Sequence, residues 1–145
     1  MIDPRLRELD YFSLSQSMLD LGERDMPDSR ETFMEHFPEL MKAWAEGRIS
    51  CPNEDFAGFE ARVIDALDWA ETHPGTVLVT SGGVIGMTLR HVLGLSLEAF
   101  SHVLLQIHNS SVHQYQIEAG SRRLVNFNST PHLDSIDRAG TRTHI

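Results

Sequence analysis

The stretch Val77-Leu-Val-Thr-Ser-Gly-Gly-Val84 carries the strongest structural signal in this 145-residue chain. Residues 76–80 are uncharged and rich in β-branched side chains, which predicts a short strand that is buried on both faces. Two glycines follow, and residues 84–93 then have the pattern of a helix that Gly94 ends. We therefore predict a strand that leads directly into a helix, a junction where open α/β sheets bind ligands.

The same junction predicts a binding site for an anion. The first N–H groups of a helix have no partner within the helix, and the helix dipole favours negative charge there. Gly82 and Gly83 let a ligand approach the backbone closely. A tight turn without a ligand explains these residues about as well. No Gly-Lys-Ser/Thr follows, so this is not a P-loop, and Ser81 lacks the Gly-x-Ser-x-Gly context of a nucleophile elbow.

Two helices are predicted before this strand, and one short helix is predicted after the helix that follows it. The first begins at a capping box of Asp28 and Glu31 and ends at Gly47, and Pro38 either kinks or divides it. The second covers about 53–73, where apolar residues recur on one helical face. The short helix covers about 96–101.

Three more strands are predicted in the second half of the chain, at roughly 103–107, 112–117 and 123–128. The connections between them are too short for parallel crossovers, so this part of the sheet should be antiparallel. The order of all elements predicts an α/β sandwich around a mixed sheet.

Composition limits the classes of function. Twelve Lys and Arg against 21 Asp and Glu give a net charge of −9, which disfavours nucleic acids and anionic membrane surfaces as partners. The single cysteine, Cys51, excludes an internal disulfide and a cysteine-cluster metal site. There is neither a long apolar run nor an apolar signal core, so we expect a cytoplasmic protein.

Other polar residues are weaker candidates for a site. Glu8 suits a general acid if the fold places it beside an anion, and is otherwise a solvated surface residue. His108 and His113 flank a short turn, but no third ligand accompanies them. His132 suits either a site or a structural hydrogen bond. We expect no metal and no cofactor.

Several segments together resemble the histidine phosphatase superfamily, which has the phosphoglycerate mutase-like fold. They cover most of the chain in the family's order, and the last two are typical of a bacterial branch with Ser-Gly-Gly in place of His-Gly-Gly. The segments are Asp3-Pro-Arg-Leu-Arg-Glu-Leu-Asp10, His73-Pro-Gly75, Val77-Leu-Val-Thr-Ser-Gly-Gly-Val-Ile85, Leu89-Arg-His-Val-Leu-Gly-Leu95, Leu105-Gln-Ile-His-Asn-Ser-Ser-Val112 and Phe127-Asn-Ser-Thr-Pro-His-Leu-Asp134.

The resemblance implies a three-layer α/β/α sandwich, present here as one partial domain over 1–145. It implies hydrolysis or transfer of the phosphoryl group of a small phosphorylated molecule through a phosphohistidine. Carried over by position, Glu8 is the candidate proton donor, Ser81 stands where the second catalytic histidine would be, and Gly82 offers a backbone N–H to the phosphate. Asn109 and His132 lie in segments typical of the branch and are candidates for the pocket, without an assigned role.

The sequence departs from the family pattern in two ways. It contains no Arg-His-Gly, the segment that supplies the nucleophilic histidine, and Ser81 carries no positive charge. We therefore expect little or no activity from this chain. A non-catalytic module that binds phosphate or another protein is the alternative.

In the family, the segment with Arg-His-Gly forms a first strand that pairs beside the strand predicted at 76–80. Without it, that strand has an uncharged, unpaired edge, and such edges favour association. Three outcomes are open: pairing with a second copy as a homo-oligomer, exchange of elements, or a longer gene product of which this chain is a fragment.

Overall fold

The computed structural model describes residues 1–144, and within them a run of helices is followed by one β-hairpin. The predicted mixture of helices and strands is confirmed, whereas the three-layer arrangement stays a prediction. No helix among the described residues combines the length and the apolar composition that crossing a membrane requires. The elements are α1 (Tyr11–Asp20), α2 (Arg30–Ala45), α3 (Phe56–Glu71), α4 (Gly82–Leu93), α5 (Leu97–Leu104), β1 (Val112–Glu118), β2 (Ser121–Ser129) and 3-10 turns at Pro4–Leu6, Pro131–Leu133 and Ala139–Thr141.

The helix α1 was not predicted from the sequence. Asp10 caps it, because its carboxylate accepts a hydrogen bond from the Ser13 N–H at 3.1 Å. Leu14 and Met18 lie one turn apart and are both buried against the rest of the protein. These two buried residues are enough here, because α1 packs beside α2.

The helix α2 begins one residue later than predicted, at a different capping box. Ser29, not Asp28, is the N-cap, and its hydroxyl accepts the Thr32 N–H at 3.2 Å. The Thr32 hydroxyl in turn accepts the Ser29 N–H at 3.0 Å, so Thr32 takes the place predicted for Glu31. The helix continues through Pro38 without being divided.

The next helices differ from prediction mainly at their ends. Asp55 caps α3, which is shorter than the predicted 53–73. α4 begins at Gly82 instead of residue 84, so both glycines of the junction belong to its first turn. Gly94 ends α4 as predicted, with a left-handed φ of 64° that a glycine adopts without strain.

Two of the predicted strands are wrong. Residues 76–80 form no strand, and Val77 and Val79 are exposed instead of buried. Residues 103–107 begin within α5, which runs to Leu104 and not to residue 101. The helix continues because Phe100 and Leu104 lie one turn apart and both pack against Gly86, where a Cβ would come within 3.0 Å of each.

The hairpin confirms the other two predicted strands and their antiparallel pairing. β1 and β2 are slightly longer than predicted and pair from Val112–Ser129 to Glu118–Ser121. Ala119 and Gly120 form the turn with φ of 50° and 75°, the positive values that a two-residue type I′ turn requires. Arg122 of β2 forms ion pairs with Asp68 and Glu71 on α3 and thereby joins the hairpin to the helices.

The core contains a histidine whose surroundings disfavour its charged form. His36 of α2 is 1% exposed, its Nδ1 lies 3.2 Å from the Tyr11 hydroxyl, and its Nε2 has no hydrogen-bond partner within residues 1–144. Burial lowers the pKa of His36, and the charge of Arg24 lowers it further, against a smaller opposite effect of Glu39.

We expect the free energy of unfolding to fall as the pH drops below about 6.5, the ordinary pKa of histidine in an unfolded chain. Below that pH the unfolded chain takes up a proton that His36 in the folded protein resists. Urea unfolding at about pH 7.5 and 5.5 measures the free energy of unfolding at each pH. The difference between the two values should shrink in His36→Phe. It should persist in His102→Phe, which alters an exposed histidine on α5. The same pH dependence in His36→Phe as in the parent would contradict this assignment.

Candidate functional site

The site begins with residues 3–10, which α3 holds in place mainly through Arg62 and also through Asp65, whose carboxylate pairs with Arg5 at 2.9 Å. The Arg62 guanidinium donates to the backbone carbonyls of Arg5 and Arg7, at 2.7 Å each. It also donates through Nε and Nη2 to the two carboxylate oxygens of Glu54, again at 2.7 Å. From the other side, the Thr80 hydroxyl donates to the Leu6 carbonyl at 2.7 Å. These bonds fix the backbone of residues 5–7, directly before Glu8.

The Arg62–Glu54 pair is largely buried, with 14% and 9% of the side chains exposed. Burial alone would raise the pKa of Glu54. The hydrogen bonds and charge of Arg62, together with the charge of Arg7 at 3.6 Å, outweigh burial and hold the pKa below its ordinary value. The pair is therefore ionised at neutral pH, and each partner depends on the other for neutralisation.

The Glu8 carboxylate lies at the start of α4. Its Oε2 accepts a hydrogen bond from the Gly83 N–H at 3.1 Å, and its Oε1 accepts one from the Leu9 N–H at 2.8 Å. The N-terminus of α4 thus holds an anion, as the helix dipole favours, but the anion is a side chain of the same chain.

Only a glycine at position 83 permits this contact. A Cβ built there would overlap Glu8 Oε1 and lie 2.8 Å from Leu9 Cδ2. Both atoms are the far ends of flexible side chains, so a larger residue would displace the Glu8 carboxylate and leave α4 intact. Gly83 is buried because the carboxylate and Leu9 cover it.

Ser81 and Gly82 lie at the same place. Ser81 is the N-cap of α4, with extended backbone, and its hydroxyl makes no capping hydrogen bond. Gly82 is the first residue of the helix and is buried. The structure therefore brings Glu8, Ser81 and Gly82 together around one helix start, while their roles stay predictions.

Asn109 and His132 belong to a second group of polar residues near the carboxyl end. The Asn109 amide donates to Thr143 Oγ1 at 2.9 Å and to the His144 carbonyl at 3.2 Å. His132 Nε2 lies 2.9 Å from Ser110 Oγ. No hydrogen bond in the described part of the chain joins this group to the start of α4. The structure gives Asn109 the local task of holding residues 143–144.

His108 and His113 do not point to a common metal. The His108 ring lies beside His144, with 4.4 Å between ring centroids, whereas His113 Nε2 lies 2.9 Å from Ser111 Oγ. Among residues 1–144, no group of three or more His, Cys, Asp or Glu side chains is arranged to hold a metal ion.

Two residues that build this site, Arg62 and Thr80, are not among the candidates that the sequence indicates. Gly83 is one of the two glycines predicted to admit a ligand, but its contact with Glu8 is not predicted. Arg62 and Thr80 act on backbone carbonyls more than 50 residues away in the chain, and no local pattern signals such a contact.

Comparison with known proteins gives one match. The model of the histidine phosphatase superfamily (branch 1) matches residues 1–130. Neither the comparison with curated proteins nor the comparison with solved structures gives a match. The matched range includes Glu8, Ser81, Gly82 and Asn109 and ends before His132.

We expect Arg62→Met to lower the free energy of unfolding by about 3 kcal/mol, because it leaves the buried Glu54 with only Arg7, at 3.6 Å, as a cationic partner. The matched control is Arg24→Met. Arg24 also forms a two-bonded pair, at 2.6 and 2.8 Å with Glu39, but 53% of the Glu39 side chain is exposed. The control should lose less than about 1 kcal/mol. Denaturant titration measures both, and equal small losses would show that Arg62 does not anchor residues 3–10.

Proposed function

The chain belongs to the histidine phosphatase superfamily, and from that membership we propose that it binds the phosphoryl group of a small phosphorylated molecule at the start of α4, with little or no catalytic turnover of its own. The observation that carries this proposal is the Glu8 carboxylate on the Gly83 N–H. A negatively charged oxygen already occupies the place that a phosphate oxygen would take.

The groups around this place suit a phosphoryl oxygen. The first turn of α4 supplies N–H donors and the positive end of the helix dipole, and Ser81 has a hydroxyl that no cap uses. A phosphate that enters displaces the Glu8 carboxylate from Gly83. Glu8 is exposed at the surface, so its side chain has room to turn aside while the backbone of residues 3–10 stays fixed.

The same groups support phosphoryl transfer poorly. The resemblance implies that Glu8 donates a proton to a leaving oxygen. No hydrogen bond found within residues 1–144 joins a histidine to Glu8, Ser81 or Gly83, which supports the proposal of little or no turnover. A neutral serine in place of an imidazolium also stabilises a phosphoryl dianion less.

A small phosphorylated metabolite in the cytoplasm is the ligand we propose, and a nucleic acid or a membrane is disfavoured by the net charge of −9. We also propose that binding needs no metal or cofactor. The alternative is a protein partner that presents an anionic side chain to the same place. It would use the same N–H donors, so inorganic phosphate would compete with this partner for them.

We expect Glu8→Gln to bind inorganic phosphate about fivefold more tightly than the parent chain, the equivalent of about 1 kcal/mol. The substitution removes both the competing charge and the stronger acceptor from Gly83. Glu98→Gln is the matched control, because Glu98 is an exposed acidic residue in the first turn of α5 and its loss changes the net charge equally. Isothermal titration calorimetry with phosphate measures all three affinities.

Two results would contradict this assignment. Equal affinities in all three proteins would place the anion away from α4, and absence of binding in all of them would remove the proposed function. Folding of each variant is checked by circular dichroism, so that a lost signal is not mistaken for a lost site.

We expect no hydrolysis of a generic phosphomonoester such as p-nitrophenyl phosphate above the buffer blank, because the chain has no Arg-His-Gly to supply a nucleophile. The absorbance of released nitrophenolate measures this, with Ser81→Ala as the comparison. Turnover that Ser81→Ala abolishes would instead identify a working catalytic site at α4. A phosphohistidine detected on the chain after incubation with a phosphodonor would have the same meaning.

A further inference from the structure

Residues 76–80 lie on the surface as an open segment. Val77 is 84% exposed and Val79 is 87% exposed. Leu78, which lies between them, and Thr80, which follows them, are half-buried. Alternation with a period of two is the pattern of an extended chain that rests one face on the protein. Two large β-branched side chains on the other face are left in water.

The backbone of this segment is also unpaired. Within residues 1–144, the N–H groups of Val77, Leu78, Val79 and Thr80 donate to no backbone carbonyl, and the segment pairs with no strand. An extended segment with free N–H and C=O groups and apolar side chains accepts an added strand. Each backbone hydrogen bond formed there adds to the free energy that burial of the two valines contributes to association.

The order of residues in this segment selects the strand that fits. Thr76-Val-Leu-Val-Thr80 reads the same in both directions. In an antiparallel pair centred on Leu78, each Val77 therefore faces Val79 of the other copy, and each Thr76 faces Thr80. β-branched side chains and threonines opposite one another are favourable cross-strand pairs. The segment is complementary to itself, which is what a two-fold interface requires.

We propose that residues 76–80 pair in antiparallel fashion with the same residues of a second copy of this chain, with the two-fold axis at Leu78. The inference does not depend on the proposed function. Charge supports it: no charged side chain occurs from 74 to 89, although the chain as a whole carries −9. The two copies therefore meet through neutral segments while the rest of their surfaces repel, so added salt should strengthen the dimer.

Sedimentation equilibrium should give twice the 16.4 kDa mass of one chain at high protein concentration, with a larger dimer fraction at higher NaCl concentration. Val79→Lys should restore the single mass, because it places two like charges in the pair. Ile136→Lys is the matched control, since Ile136 is 96% exposed and lies outside the segment. The control should dimerise like the parent chain.

Disulfide cross-linking tests the register. In a Cys51→Ser background, which removes the single native thiol, a mixture of Val77→Cys and Val79→Cys chains should form a cross-linked dimer. Residues directly opposite in an antiparallel pair have Cα atoms about 4.5–5.5 Å apart, within the range of a disulfide. Each variant alone places its cysteines diagonally, at about 7–8 Å, and should cross-link far less.

Three results would overturn the proposal. The chain could sediment as a monomer at every concentration and salt level, or Val79→Lys and Ile136→Lys could dimerise equally. Cross-linking of Val77→Cys chains alone, as efficient as the mixture, would exclude this register. Capture of an extended segment from another polypeptide by a monomeric chain would replace the second copy with a different partner. Circular dichroism confirms that each variant is folded before its mass is interpreted.

Discussion

The buried guanidinium of Arg62 is the group on which the site depends. A charge removed from water needs a counter-charge and acceptors for all of its N–H groups, and Glu54 supplies only part of these. The carbonyls of Arg5 and Arg7 accept two more of its five N–H groups. Satisfying one side chain of α3 thus fixes a segment that has almost no regular structure of its own. The position of Glu8 follows from this, because the residue lies directly after the second of these carbonyls.

The helices and the hairpin could largely be predicted from the sequence, because their signals are local. The apolar face of α3 and the glycine that ends α4 were read correctly, and the hairpin was predicted with nearly its final bounds. The short helix α1 was not predicted, because its stability comes from packing beside α2 and not from its own pattern. The apolar run at 103–107 predicts a strand, since a short apolar run fits a strand or a helix equally until its neighbours are known.

The prediction of a buried strand at 76–80 failed for a different reason. The composition of these residues is typical of a strand. The structure shows that nothing within 1–144 pairs with them. The site was foreseen in its two local parts, the helix start and the acidic residue. Their contact could not be foreseen, because it joins residues 75 positions apart through a backbone N–H. The segment and the site also meet at Thr80, whose hydroxyl holds the Leu6 carbonyl.

Because the Glu8 carboxylate already binds the Gly83 N–H, a molecule that replaces it has to bind there more strongly than this carboxylate does. A side chain tethered a few bonds from its binding place acts as if it were present at a high effective concentration, on the order of millimolar or more. A free monodentate anion at a lower concentration competes poorly against it. For the binding that we propose, the ligands that displace the carboxylate are those that reach beyond this one N–H to further donors, so the proposed site favours polydentate ligands.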